Sequence, residues 1–226
     1  MEAVMITIGL ADDEPLFTAG LAMILDAQSD MRVVWQAIDG ADAIRRHDHV
    51  APSILLLDIQ MPTLDGLAAT QRLITAGTAS KIIILTTFDT DEYVLTAIES
   101  GASGFLVKNT APDDVVAAIR TVHDGDAVIS PGPTRRLFTT FRKRPGGSAA
   151  DASPTDIRLA DELTPRECDI LALVARGRTN QEICDELWLT MPTIKTHIGN
   201  LRAKTQSRDR VQLALFALRV GIAELT

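Results

Sequence analysis

"SILLLDIQMPTLDG", residues Ser53 to Gly66, sets four apolar residues in a row directly before a carboxylate, with a proline close behind. A run this short, closed by turn-forming residues, reads as a strand covered on both faces. A carboxylate within such a strand would cost several kcal/mol, on the order of what burying any unpaired charge costs. Asp58 therefore stands where the strand stops, or it has partners that make its charge useful.

Working outward, four more short apolar runs share this character: Met5–Ala11, Arg32–Ala37, Lys81–Thr86 and Gly104–Val107, with Ile54–Asp58 as the third of five. Between and after them lie amphipathic stretches that predict helices at Pro15–Ala27, Ala41–Asp48, Leu67–Ala76, Asp91–Ser100 and Pro112–His123. Strict alternation of this kind predicts an α/β fold, a doubly wound five-stranded parallel sheet with helices on both faces. Such sheets bind ligands beyond the carboxyl ends of their strands. Asp12 and Asp13 follow the first strand, Asp58 ends the third, Thr86 and Thr87 end the fourth, and Lys108 follows the fifth. One rim thus collects three carboxylates, a hydroxyl and an ammonium from four separate stretches. Each alone reads as an ordinary polar strand terminus; together they read as a site.

The 226-residue chain is long enough for two domains. No apolar run nears the roughly 18 residues of a membrane span, and the acidic start "MEAVMITIGLADDEP" lacks the basic flank of a signal peptide. Two cysteines, Cys168 and Cys184, each within a helical apolar pattern, read as small core residues in a reduced compartment. The expectation is a soluble cytoplasmic protein that contacts no membrane. Net charge is −8 but uneven: residues 1–130 hold 7 Lys/Arg against 19 Asp/Glu, whereas residues 164–226 hold 9 against 7. The two ends are built for different partners.

Residues 142–162, "RKRPGGSAADASPTDIRLADE", lack apolar periodicity and read as a flexible linker, with a short helix expected just before it at Thr134–Phe141. The domain reading is therefore 1–128, a linker over 129–161, and a smaller all-α domain over 162–226. In the last of these, Thr164 with Glu167 and Thr179 with Glu182 follow the capping-box pattern, and Gly177 stops the first helix. A third helix starts at Thr190 with Pro192 in its first turn, and a fourth runs from Ser207–Asp209 to Arg219. Four short helices with a brief turn between the second and third predict a helix-turn-helix. On the third helix, Ile194, Ile198 and Leu201 share an inward face, opposite Pro192, Thr196, Gly199 and Ala203. Lys195 and Arg202 flank that outer face on one side, and Thr193, Asn200 and Lys204 on the other, a composition that suits a major groove.

The motifs "LADDEP", "LLLDIQMPTLDG", "IIILTTFD" and "GASGFLVK", followed by "LTPRECDILALVARGRTNQEI" and "PTIKTHIGNLRAK", closely resemble response regulators of the NarL/FixJ family. These join a flavodoxin-like receiver domain to a LuxR-type helix-turn-helix. The resemblance implies that Asp58 is the phosphoacceptor for a sensor histidine kinase. It implies that Mg²⁺ is held by Asp13, Asp58 and the backbone carbonyl of Gln60, with Asp12 acting through a water. Lys108 and Thr86 would bind phosphoryl oxygens, and Phe105 would fill the space behind a displaced Thr86. Many relatives carry Tyr at that aromatic position, and many carry Lys-Pro where Lys108-Asn109 stands here. Without proline, the cis bond common after that lysine would cost about 2.5–4 kcal/mol.

For the helical domain, the resemblance places Lys195, Thr196 and Gly199 at base edges of promoter half-sites. Thr179, Asn180, His197 and Lys204 would lie near phosphates, with Arg202 flanking. Gly199 departs from a commoner polar residue. The last helix, "DRVQLALFALRVG", has two apolar stripes. Val211, Leu215 and Leu218 are the stripe expected at a homodimer interface, and RNA polymerase is a further expected partner. Two rival readings are a phosphorylation-independent DNA binder and an aspartyl-phosphate phosphohydrolase of dehalogenase type. The second needs an acid two residues after the nucleophile, where this chain has Gln60. The receiver's chemistry would act on its own phosphoryl group only, so no enzyme with an external substrate is expected.

Overall fold

The computed structural model describes residues 5–87, 91–125, 128–129 and 153–222. The chain divides into two compact units, Met1–Pro133 and Thr134–Thr226. The first alternates β1 (Ile6–Ala11), α1 (Pro15–Asp26), β2 (Met31–Ala37), α2 (Gly40–His49), β3 (Ile54–Leu57), α3 (Gly66–Thr75), β4 (Lys81–Thr86), α4 (Asp91–Glu99), β5 (Gly104–Val107) and α5 (Pro112–His123). All strand pairs are parallel, and the order is β2-β1-β3-β4-β5-β6, where β6 is Val128–Ile129. The five expected strands are present. The sixth is new, and at two residues it is too short to carry any periodic signal.

β3 shows why the opening stretch decides the fold. Ile54, Leu55, Leu56 and Leu57 are all at most 2% exposed, each worth roughly 1.5–3 kcal/mol relative to an exposed side chain. Alternate residues serve opposite faces. Ile54 and Leu56 join Ile83, Leu85 and Leu106 in a core closed by Leu21 and Leu25 of α1 and by Val115, Ile119 and Val122 of α5. Leu55, Leu57, Ile82, Ile84 and Phe105 point the other way, where Ala69, Leu73, Val94 and Ile98 from α3 and α4 are also buried. Each helix needs its own start: Asp39 and Asp65 cap α2 and α3, accepting from Asp42 N–H and Ala68 N–H. Proline opens α1 and α5.

The second unit contains α6 (Pro154–Asp161), α7 (Pro165–Ala175), α8 (Asn180–Leu187), α9 (Met191–Thr205) and α10 (Arg210–Arg219). Both expected capping boxes form, at Thr164/Glu167 and Thr179/Glu182. The linker reading over 129–161 is corrected at its end by α6. That helix has its own capping box, Ser153 with Asp156, and Pro154 in its first turn. Leu159 and Ala160 pack on the helical core, and Arg219 Nε stands 3.6 Å from Asp156 Oδ2. With only one short apolar edge, α6 shows no periodic stripe in sequence. The helix expected at Thr134–Phe141 lies outside the described residues.

The stripe expected at a dimer interface is largely buried in the single chain. Val211 and Leu215 are 5% and 4% exposed within the single chain, and Leu218 is packed against the same core that holds Leu213 and Phe216. Each apolar stripe of α10 thus has buried residues within the chain, while Leu218 and Val220 are only partly buried. Among the described residues, no helix is long and apolar enough to cross a membrane, and no peptide bond is cis, the one after Lys108 included.

Candidate functional site

The strand order reverses at β1, whose two neighbours β2 and β3 are reached in opposite directions. A crevice therefore opens at the carboxyl ends of β1 and β3. Backbone bonds set its walls: Asp58 N–H donates to the Ala11 carbonyl at 2.9 Å, and Asp12 N–H to the Ala37 carbonyl at 3.1 Å. Carboxylate oxygens of Asp12, Asp13 and Asp58 lie within 4.8 Å of one another. Asp12 and Asp58 are buried, at 4% and 6% exposure. An open cleft above them is lined by Asp13, Glu14, Asp58, Gln60, Met61 and Thr87. The donor set is all oxygen, the chemistry that suits a hard divalent cation of the Mg²⁺ kind.

Lys108, the residue after β5, supplies the counter-charge. Its Nζ lies 2.8 Å from Asp12 Oδ2, 2.9 Å from Glu14 Oε1 and 3.1 Å from Asp58 Oδ2. Burial alone would pull the ammonium down, but hydrogen bonds to those three carboxylates hold it well above the usual lysine range. Burial also pushes the Asp12 carboxyl up, partly offset by Lys108 and by the Glu14 backbone N–H. The Phe17 ring sits under the ammonium, 4.9 Å from ring centre to Nζ. Asp58 is pinned by its own loop, its Oδ1 accepting from Ile59 N–H at 2.7 Å. Thr86, the last residue of β4, and Phe105, within β5, are fully buried, with Phe105 in register with Ile84 and Lys108 N–H donating to the Thr86 carbonyl.

Asp12, Asp13, Asp58 and Lys108 are thus brought together, Gln60 lines the same cleft, and Thr86 ends the adjacent strand. Sequence reasoning missed Glu14 and Phe17. Glu14 is visible in "ADDEP" as a third consecutive acid, but only the fold brings it to Lys108.

In the helical unit, Ile194, Ile198 and Leu201 face inward at 5% exposure or less, while Lys195, Thr196 and Gly199 are exposed along α9. Other expected DNA residues have intramolecular work. Lys204 Nζ bonds Glu167 Oε2 at 2.8 Å. Burial pushes that carboxyl up, but Lys204 and Thr164 together hold it below the usual range. Arg202 donates to the Arg208 carbonyl. Asn180 Oδ1 accepts from Arg210 Nη1 at 2.7 Å, and Thr179 spends its hydroxyl on Glu182. His197 is half-buried. Arg202, Lys204 and Asn180 each have an internal partner within the helical unit, through which they brace its helices.

A Cβ built on Gly199 meets nothing within 4 Å. Gly199→Ala should raise the stability of the helical unit by about 1 kcal/mol, the helix-interior difference between the two residues. Denaturant titration reads this directly, and a destabilised variant would show hidden crowding there.

The comparisons agree with this geometry. Residues 8–120 match the family profile described as response regulator receiver domain, and residues 161–217 match that of bacterial regulatory proteins, luxR family. The chain is similar to the uncharacterized transcriptional regulatory protein YxjL of Bacillus subtilis (strain 168), 36% identical over 97% of this chain and 98% of the relative. It is also similar to the transcriptional regulatory protein LiaR of the same strain, 35% identical over 95% and 98% respectively. Among solved structures, the response regulator ChrA of a heme-sensing two-component system is 28% identical, with a TM-score of 0.52 covering 96% of this chain and 98% of that one. Two profiles matched in order, and relatives alike over nearly the whole length, show that the chain belongs to the NarL/LuxR family of two-component response regulators, a receiver domain joined to a LuxR-type DNA-binding domain that regulates transcription.

Proposed function

We propose that Asp58 accepts a phosphoryl group from a phosphohistidine of a sensor histidine kinase, and that the acyl phosphate switches DNA binding by the helical unit. A carboxylate oxygen of Asp58 forms the new P–O bond, the donor's P–N bond breaks, and its electron pair stays on the imidazole nitrogen. The observation that carries this reading is the convergence of Asp12, Asp13, Asp58 and Lys108 at the sheet's switch point. Asp12, Asp13, Asp58 and the Gln60 backbone carbonyl would hold Mg²⁺, which when bound neutralises phosphoryl-oxygen charge. Lys108 exchanges a carboxylate partner for a phosphoryl oxygen, a charge-assisted contact of the same kind. Thr86 donates its hydroxyl to another oxygen, and Phe105 follows on the same face of the sheet.

Phosphorylation adds roughly 1.5–2 negative charges at one rim of the receiver. It works by population shift, favouring an arrangement of α4 and β5 that releases the helical unit or pairs two receivers. The protein works in the cytoplasm and has no substrate beyond its own phosphoryl group. It binds paired half-sites as a homodimer, through a surface other than the Val211–Leu215–Leu218 stripe, and acts on RNA polymerase from there. Footprinting across a genome, with and without a phosphodonor, tests the switch: identical footprints in both states would overturn it.

On the DNA side, Lys195 reads a base edge and Thr196 a neighbouring one. Lys195→Ala should weaken binding to the footprinted operator by about 1–3 kcal/mol and relax preference at one base position. Titration of labelled duplexes at fixed salt measures it, and unchanged affinity removes Lys195 from the interface.

A further inference from the structure

Trp188 is the most exposed large apolar side chain among the described residues, 93% accessible, in the turn between α8 and α9. Its backbone is left-handed, φ 56 and ψ 44, with its N–H donated to the Cys184 carbonyl as the cap of α8. A bulky residue at such a position is a genuine conformational outlier, where glycine would sit without strain. The side chain gains almost no burial in exchange. Neither local conformation nor packing among the described residues accounts for it, which points to a contact outside the chain.

We infer that Trp188 contacts the sugar–phosphate backbone of duplex DNA beside the groove that α9 enters, its indole N–H donating to a phosphate oxygen and its ring lying against a sugar. The inference rests on the DNA-binding reading above and extends it to a residue outside the recognition helix. Trp188 stands two residues before Thr190, the N-cap of α9. The surface that continues from it includes exposed Thr190, Lys195 and Thr196, which bring hydroxyls and a cation. In a helix-turn-helix the first residues of the recognition helix approach the bases. The turn leading into that helix then lies at the groove's edge, where phosphates and sugars are. An indole suits that place, since it offers a donor and no acceptor, and an uncharged ring.

A backbone contact is independent of sequence, so the probe is a short random-sequence duplex, and the protein is the full chain with phosphodonor present. Trp188→Gly should bind it about tenfold more weakly or worse, the loss of one hydrogen bond to a charged group. The slope of log affinity against log salt should not change, because no cation is lost. Trp188→Phe, which keeps a ring but no donor, should fall between. Thermal melting should show Trp188→Gly at least as stable as the parent, which separates a lost contact from a damaged domain.

A second readout uses the parent protein. It has two tryptophans, and Trp35 is 8% exposed with its Nε1 donating to the Val50 carbonyl. Emission quenched by acrylamide therefore belongs to Trp188, and duplex should shield it. Undiminished affinity of Trp188→Gly, or undiminished quenching with duplex bound, overturns the inference. Lys195→Ala then shows whether the DNA-binding reading still stands. Shielding that comes from raising protein concentration without duplex assigns Trp188 to a second copy and equally overturns it. A parent protein that binds no duplex defeats both readings.

Discussion

Asp58→Asn leaves the protein unable to take up a phosphoryl group from a small phosphodonor in the presence of Mg²⁺, while the parent acquires a single adduct. The amide has nearly the same shape but lacks the anionic oxygen that forms the P–O bond, so the expected loss is complete rather than graded. Intact-mass spectrometry at matched times measures it. The same substitution removes one of three acids clustered within 4.8 Å, so it also removes mutual repulsion. Lys108 keeps Asp12 and Glu14 as partners, at 2.8 and 2.9 Å. The thermal midpoint should therefore hold or rise, which distinguishes a lost acceptor from an unfolded receiver. An adduct of undiminished yield in the variant would move the acceptor elsewhere and defeat the assignment.

The second large effect is expected at a residue with no side chain. A Cβ on Gly66 would lie 1.9 Å from the Asp58 carbonyl oxygen and 2.9 Å from its carbonyl carbon. Both are backbone atoms, so no rotamer can move aside. Gly66 N–H also donates to the Ile59 carbonyl at 3.0 Å, and Thr70 Oγ1 donates to the Gly66 carbonyl at 2.7 Å. The start of α3 is thereby clamped onto the loop that carries Asp58. Gly66→Ala must part the two. It should cost about 1–3 kcal/mol in stability, typical of overpacking where the surroundings cannot yield. Labelling at Asp58 should slow by an order of magnitude or more, because a displacement near 1 Å at a reacting group is worth about a hundredfold. Denaturant titration and initial labelling rates are the measurements. A variant that melts and labels like the parent would show that the loop can open without cost. Gly199, with nothing near its missing Cβ, is the contrasting case where the same change should help.

Much of the acidic rim was legible because two local patterns meet one topological rule. Apolar runs of four to six residues mark where β1, β3, β4 and β5 stop. In an alternating α/β chain those stops share an edge. Asp12, Asp58, Thr86 and Lys108 needed nothing more. The helical unit was legible to a lesser depth. Capping boxes place the starts of α7 and α8, and the spacing of Ile194, Ile198 and Leu201 separates the buried face of α9 from the exposed one. That spacing says nothing about whether Lys204 reaches outward or turns to Glu167, since a lysine stem permits both.

The alternation of strand and helix, the carboxyl-end placement of the acids, the helix starts and the buried face of α9 follow from the amino-acid order alone. Each depends on near neighbours and on a periodicity of two or 3.6 residues. Tertiary structure alone decided that Glu14 shares Lys108, that α10 buries residues of both its stripes, that Asn180 goes to Arg210, and that position 66 tolerates no Cβ. All of these are distances between atoms far apart in the chain. Packing selects them among several arrangements that the local pattern permits equally.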